Sequence, residues 1–384
     1  MTSPPVNPRV RDLPASGIRA LYERKRPSSI DLSIGQPSLK PDAEPFETAA
    51  QWVRANGCSY PPYAGIPELR EAVARAYGGS FHRTAGDICV TNGSQQAIFL
   101  ALKTLLDPAR DEVLLTDPGY PSYVRCCDLE GIRWRAVTLD AADGFAIKAG
   151  ALLAVLSPRV RAIVIGSPSN PTGAVMSASE LDALARGLQA SRHQPPVLIV
   201  DEVYRELVYG TQPYRSVTDT YAPGLAVQSM SKSCALTGLR VGFLIGPQAI
   251  IDAAMRAHVL MLMSISQLGQ RVALEFMRSP ARLRAHHDWY VRQRALMLEA
   301  AHKARLEFIE PQGAFYTLVK LPQRWHSRSA EAATSLLEDF DVVTVAGSVF
   351  GKACAGYLRV SWSAPAAAVT EGLARIGEFC ERSR

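Results

Sequence analysis

Four short segments of this chain set chemically useful residues directly after runs of apolar, β-branched residues. The first is Asn92-Gly93-Ser94-Gln95, a glycine-containing turn that opens a helix. Its backbone N–H groups and the positive end of the helix dipole suit an anion. The second, Gly166 to Gly173, reads GSPSNPTG, and Pro171 holds Asn170 in an extended or turn conformation. In the third, DEVY, Asp201 closes a strand and Tyr204 follows three residues on. The fourth, SMSKSCALTGLRVG, gathers Ser229, Ser231, Lys232 and Arg240 into one loop. Residues at strand ends are the ones to inspect, because an open α/β sheet binds ligands beyond the carboxyl ends of its strands. The pair His286-His287 invites a metal reading, but adjacent histidines on a helix point about 100° apart and do not readily share an ion. A solvated pair, and no metal site, is the expectation.

The elements that must carry these segments follow from the hydrophobic pattern. Short runs at residues 88–91, 112–116, 162–165, 197–201, 226–228 and 241–245 read as buried strands. Segments 94–106, 122–130 and 177–190 have helical apolar spacing and separate several of those runs. A long helical tract spans 247–303 with one break at Ser279-Pro280, and shorter strands follow near 314–319 and 357–361. The first 45 residues are rich in proline and weakly periodic, which predicts an arm rather than an independent unit. The expected architecture is α/β. It has a large three-layer domain with a mostly parallel mixed sheet flanked by helices (46–275) and a smaller α+β domain begun by a long connecting helix (276–384). The N-terminal arm (1–45) is expected to pack on the small domain.

Composition sets bounds on this reading. The 384 residues are 47% hydrophobic and 20% charged, which suits a globular enzyme with one large core and one smaller. The net charge of +6 comes from scattered Lys and Arg rather than a basic tail, so no nucleic-acid partner is expected. The densest run, RALYERKR from Arg19 to Arg26, reads as one solvated helix face. Seven cysteines without framework spacing fit a reducing, cytoplasmic setting. The polar, Pro-rich start lacks a signal peptide's apolar run, and no stretch reaches the roughly 20 apolar residues of a membrane helix. A soluble chain without a membrane partner is expected. No G-x-G-x-x-G follows a predicted strand, which disfavours a dinucleotide enzyme.

Taken in order, these motifs resemble those of the class I/II aminotransferases, pyridoxal 5′-phosphate (PLP) enzymes with the aspartate-aminotransferase-like fold. The likeness runs from about residue 32 to 363 and rests on S-x-S-K at 229–232, G-L-R-x-G at 238–242, N-P-T-G at 170–173 and D-E-x-Y at 201–204. It implies that Lys232 forms an imine with PLP and then moves a proton between the substrate's α-carbon and the cofactor. Asp201 would face the pyridine nitrogen and keep it protonated, while Asn170 and Tyr204 would hold the phenolic oxygen. Arg240, Ser229, Gly93, Ser94 and Gln95 would cup the phosphate, with Ser231 a lesser member. Tyr120 of DPGYP would cover the cofactor's face, with Tyr123 as a neighbouring candidate. The resemblance gives the substrate's α-carboxylate to Arg359 of YLRVS, with Asn170 and the backbone near Gly35 beside it. PQGAFY (311–316) also matches but receives no catalytic role. In Y-x-x-x-x-G-x-x-x-L-R, which starts at Tyr60, the family's tyrosine reaches the phosphate of a neighbouring subunit, which implies a homodimer with shared active sites.

The resemblance thus leads to ping-pong transfer of an amino group from an amino acid to a 2-oxo acid. A lyase, cyclase, oxidase or hydroxylase working through the same Lys232 is the rival. An effector domain of a PLP-sensing transcription regulator is disfavoured, because only about 30 residues precede the first motif. Substrate identity stays open. Where relatives often read G-E/N-P-D-F, this chain has Gly35-Gln36-Pro37-Ser38-Leu39 with Lys40 nearby, so an aspartate specificity does not carry over. Ile18, Met261 and Met263 are candidates for a side-chain pocket, core packing being the simpler account of each.

Overall fold

The computed structural model of the chain describes residues 5–191, 194–211 and 213–383. An early pair, β1 (Ile30–Asp31), precedes the strands of the main sheet: β2 (Ile88–Thr91), β3 (Glu112–Asp117), β4 (Arg133–Thr138), β5 (Val160–Gly166), β6 (Val197–Asp201), β7 (Leu225–Ser229) and β8 (Gly242–Ile245). Four more follow: β9 (Tyr316–Lys320), β10 (Val342–Val343), β11 (Val345–Ala346) and β12 (Tyr357–Ser361). The main sheet is seven-stranded, in the order β2-β8-β7-β6-β5-β3-β4. Its strands run parallel except β8, which is antiparallel to both β2 and β7. Thr91, Asp117, Gly166, Asp201 and Ser229 therefore all end at one edge, where Gly242 begins β8 opposite Ser229.

Side-chain alternation divides the sheet's contacts between two cores. Ala162 and Val164 of β5, Ile199 of β6 and Val227 of β7 belong to one, while Ile163, Ile165, Leu198, Val200 and Ala226 belong to the other. Strands buried on both faces in this way read as near-continuous apolar runs, which is why they are legible in sequence. Edge strand β4, RWRAVT, is mostly exposed and carries two arginines, and the sequence reading missed it.

The C-terminal third contains the three-stranded antiparallel sheet β11-β12-β9 and the helices Pro280–Lys303, Ser329–Phe340 and Ala366–Arg382. Ile30 of β1 pairs with Val342 of β10, and the Leu32 N–H donates to Val343 O at 2.9 Å. Arg24 and Arg26 form ion pairs with Glu338 and Asp341, and Lys25 with Asp31. The run expected to be a solvated helix face is thus only a short 3-10 turn, Tyr22–Arg24, whose cations fasten the chain to its neighbours. The tract 247–303 breaks twice rather than once. Helix Gln248–Leu262 ends at Met263, which has φ +61°, and Ser266 caps the next helix by accepting the Gly269 N–H. Among the described residues, no helix is long and apolar enough to cross a membrane.

Candidate active site

A cavity of about 670 Å³ opens at the carboxyl edge of the main sheet. It is lined by eleven residues singled out from the sequence: Gly35, Ser94, Gln95, Tyr120, Asn170, Asp201, Tyr204, Ser231, Lys232, Arg240 and Arg359. The loop after β7 brings Lys232 into the cavity, and its backbone is pinned from helix Pro280–Lys303. Tyr290 Oη donates to Lys232 O at 2.8 Å, and His286 Nδ1 lies 3.0 Å from Ser233 O. His286 is therefore a buried support rather than half of a solvated pair, and His287 Nε2 lies 3.3 Å from Val208 O.

The Lys232 amine reaches the cavity's solvent yet has protein packed around it. Nζ donates to Gly35 O at 2.8 Å. Burial holds its pKa down at about 8, aided by the Arg359 and Arg240 charges and opposed by Asp201. Asp201 is only 6% exposed. Burial lifts its carboxyl to about 6, against hydrogen bonds from Tyr123 Oη (2.8 Å) and the Val203 N–H (3.4 Å) and the attraction of Lys232. Tyr204 Oη lies 3.0 Å from Tyr316 Oη, and burial drives the Tyr204 phenol far above its ordinary range.

Arg359 is 1% exposed. Its Nη1 donates to Asn170 Oδ1 at 3.2 Å, its Nη2 donates to Ser33 O, and its Nε has no hydrogen-bond partner. The guanidinium lies against the Tyr316 and Phe350 rings, with its carbon 4.5 and 5.0 Å from their centres. A buried, incompletely paired arginine beside a cavity calls for an anion.

At the opposite side, helix Gly93–Leu105 starts without a side-chain cap, and Ser94 and Gln95 of its first turn line the cavity with Arg240. Gly93 does not itself line the cavity. It has φ +72°, and a Cβ there would lie 2.4 Å from Arg240 Nη2, so only glycine lets the guanidinium rest on this turn. Gly242 is equally constrained, with a Cβ that would fall 2.5 Å from the Gly93 carbonyl carbon. That second glycine of G-L-R-x-G had no role in the sequence reading.

Other assignments shift. Ser229 is turned away, its Oγ lying 3.2 Å from Val241 O and accepting the Ser231 N–H at 3.1 Å, while the lesser candidate Ser231 lines the cavity. Tyr60 stands outside the cavity and is 83% exposed. Tyr120 and Tyr123 both reach the site and meet edge to face at 5.7 Å. Tyr316, the end of PQGAFY, lines it too, although the motif was given no catalytic role. Of the pocket candidates, Ile18 lines the cavity, whereas Met261 and Met263 are exposed; Gln36 lines it, and Lys40 does not.

An amine near neutrality, a buried carboxylate, a buried guanidinium and an open helix start around one cavity define an enzyme of the carbonyl–amine class. The comparisons agree: the chain belongs to the family described as Aminotransferase class I and II, whose pattern it matches over residues 27–376, and it is a transferase. That family is one of PLP enzymes. The chain is 30% identical to a probable N-acetyl-LL-diaminopimelate aminotransferase of Bacillus subtilis, covering 99% of this chain and 96% of that one. It is also 30% identical to an aspartate aminotransferase of Thermotoga maritima, covering 97% and 99%. Its fold matches that of Thermus thermophilus aspartate aminotransferase crystallised with maleate, with a TM-score of 0.88 at 29% identity over 98% of this chain and 100% of that one.

Proposed function

We propose that this chain binds PLP in the cavity and moves the α-amino group of an amino acid to a 2-oxo acid in two successive half-reactions. The observation that carries the proposal is the convergence of Lys232, Asp201 and Arg359 with the uncapped helix start at Ser94. These residues fit the cofactor at both of its charged ends. Ser94, Gln95, Ser231 and Arg240 would hold the phosphate, with Gly93 and Ser229 shaping the turns behind them. Asp201, supported by Tyr123, would accept a hydrogen bond from the ring nitrogen's N–H and keep that nitrogen protonated; Asn170 and Tyr204 would face the phenolic oxygen, and Tyr120 the ring. When bound, PLP supplies an electron sink for the pair left behind as the substrate's Cα–H bond breaks.

The chain's own residues do the rest. Arg359 takes the α-carboxylate, helped by Asn170 and the backbone at Gly35, and so orients the Cα–H bond. Lys232 Nζ, held near pH 8 rather than 10.5, has a neutral fraction at physiological pH and can accept the Cα proton. Tyr120, Tyr204 and Tyr316 line that side of the cavity, with the Tyr204 and Tyr316 hydroxyls 3.0 Å apart. We further propose a homodimer in the cytoplasm. Leu260, 87% exposed, and the exposed apolar side chains of Leu262, Met263, Leu268, Tyr60 and Tyr63 are ones that a second subunit would cover. Cys58, Cys89, Cys126, Cys127, Cys234 and Cys354 are free thiols, which suits a reducing compartment. The whole reading is tested by adding PLP to the purified chain. Wild type should gain a visible absorbance band and turn over an amino acid with a 2-oxo acid, and Lys232→Ala should do neither; a variant that keeps both overturns the assignment.

A further inference from the structure

Under that reading, the cavity holds one cation more than its chemistry uses. The charged residues lining it are Arg19, Lys232, Arg240 and Arg359 against Asp201. Arg240 goes to the phosphate, Arg359 to the α-carboxylate, and Lys232 and Asp201 to the cofactor's carbonyl and ring nitrogen. Arg19 is left over. Among the described residues, its guanidinium has neither an ion pair nor a hydrogen bond, whereas every other cation of residues 5–31 has one or the other. Arg9 donates to Glu130 O at 3.1 Å, Arg11 pairs with Asp12, Arg24 with Glu338, Lys25 with Asp31 and Arg26 with Asp341.

The backbone around Arg19 is fixed from two sides. Arg125 Nη2 donates to Ala15 O at 2.8 Å. Gly17 packs so closely on Val349 that a Cβ would lie 2.8 Å from its Cγ2. A turn closes between them and the 3-10 segment beyond, with Arg19 N–H donating to Ser16 O at 3.0 Å and Arg19 O accepting the Glu23 N–H at 3.1 Å. The arm thus presents Ile18 and Arg19 together to the cavity, where Ile34 and Gln36 from the following segment join them. Aliphatic surface beside a guanidinium and an amide suits a side chain of a few methylenes that ends in a carboxylate.

We propose that Arg19, with Gln36 as a second donor, binds the side-chain carboxylate of an acidic amino acid and of the matching dicarboxylic 2-oxo acid. The proposal rests on the aminotransferase reading above and adds its substrate class. The arm would then act as a specificity element as well as a fastening.

The test titrates cofactor-loaded wild type and Arg19→Gln with succinate and butyrate, which carry no amino group and cannot be turned over. Wild type should bind succinate at least about tenfold more tightly than butyrate. Arg19→Gln should weaken succinate by about 10- to 100-fold and butyrate far less. In turnover, glutamate and aspartate should lose by a similar factor, mostly in KM, and leucine much less. Arg19→Lys should restore part of the loss as a point charge. Equal weakening of both probes, or a wild type without preference for succinate, overturns the proposal. If the loaded wild type turns over leucine but shows no acidic preference, only the role of Arg19 falls; if it turns over no amino acid, the aminotransferase reading falls with it.

Discussion

Asp201→Asn should stabilise the cofactor-free protein while disabling the loaded one. In the absence of cofactor, Asp201 is 6% exposed and, among the described residues, receives hydrogen bonds only from the Tyr123 hydroxyl and the Val203 amide. Burial raises its carboxyl from 3.8 to about 6. A shift of about two units at 1.36 kcal/mol each makes the ionised carboxylate cost the folded chain about 3 kcal/mol. The sign follows from proton counts. Because the folded pKa is the higher, the folded state binds more protons between 3.8 and about 6, so the penalty is absent below 3.8, grows across that window and is complete above it. Asparagine keeps an oxygen for Tyr123 and carries no charge. Urea unfolding of cofactor-free wild type and variant, followed by circular dichroism, should therefore show a gain of about 1–3 kcal/mol at about pH 7.5 that shrinks towards zero at about pH 4. With PLP bound, the variant should lose about 10²-fold or more in turnover. A variant no more stable than wild type at about pH 7.5, or one with the same gain at both pH values, would refute the reasoning.

Three further outcomes follow from the same geometry. The rate at which cofactor-free enzyme reloads with PLP should rise with pH and level off above about 8, because burial and Arg359 hold the Lys232 amine there and only its neutral form attacks a carbonyl; stopped-flow absorbance checks this. Arg359→Gln should raise KM for every amino acid substrate by about 10- to 100-fold, read from steady-state kinetics across several side chains. Gly93→Ala should weaken PLP binding by about tenfold or more in an equilibrium titration, because its Cβ would meet Arg240 Nη2 at 2.4 Å on backbone at φ +72°.

How much of this was legible depended on where the information lay. Strands β5, β6 and β7 are buried on both faces and announce themselves as apolar runs, so Asp201, which closes β6, and Asn170 and Lys232, in the loops after β5 and β7, could be assigned to one edge. The architecture followed from the same alternation. Strand β4 was lost because an exposed edge strand with two arginines has no apolar face to betray it. The break at Met263 was lost because the apolar spacing runs straight through it, and only the Ser266 cap marks the restart. Tyr123 and Tyr316 act through tertiary contacts with Asp201 and Tyr204, which lie 78 and 112 residues away in sequence, beyond any local pattern. Ser229 and Ser231 exchanged places because side-chain direction at the end of β7 decides which hydroxyl reaches the cavity, and motif order does not encode it. Arg19 sat in a run that composition alone marks as ordinary surface; its neighbours' ion pairs set it apart.

Amino-group transfer itself is tested most directly by a single half-reaction. Loaded enzyme is mixed with an excess of an amino acid substrate and no 2-oxo acid acceptor, and the released products are counted against bound cofactor. If Lys232 and Arg359 serve transfer, one 2-oxo acid is released per site, no ammonia appears, and the nitrogen stays on the protein-bound cofactor. Continued release of 2-oxo acid with ammonia or peroxide, in the absence of an acceptor, would contradict the account and point to elimination or oxidation at the same lysine.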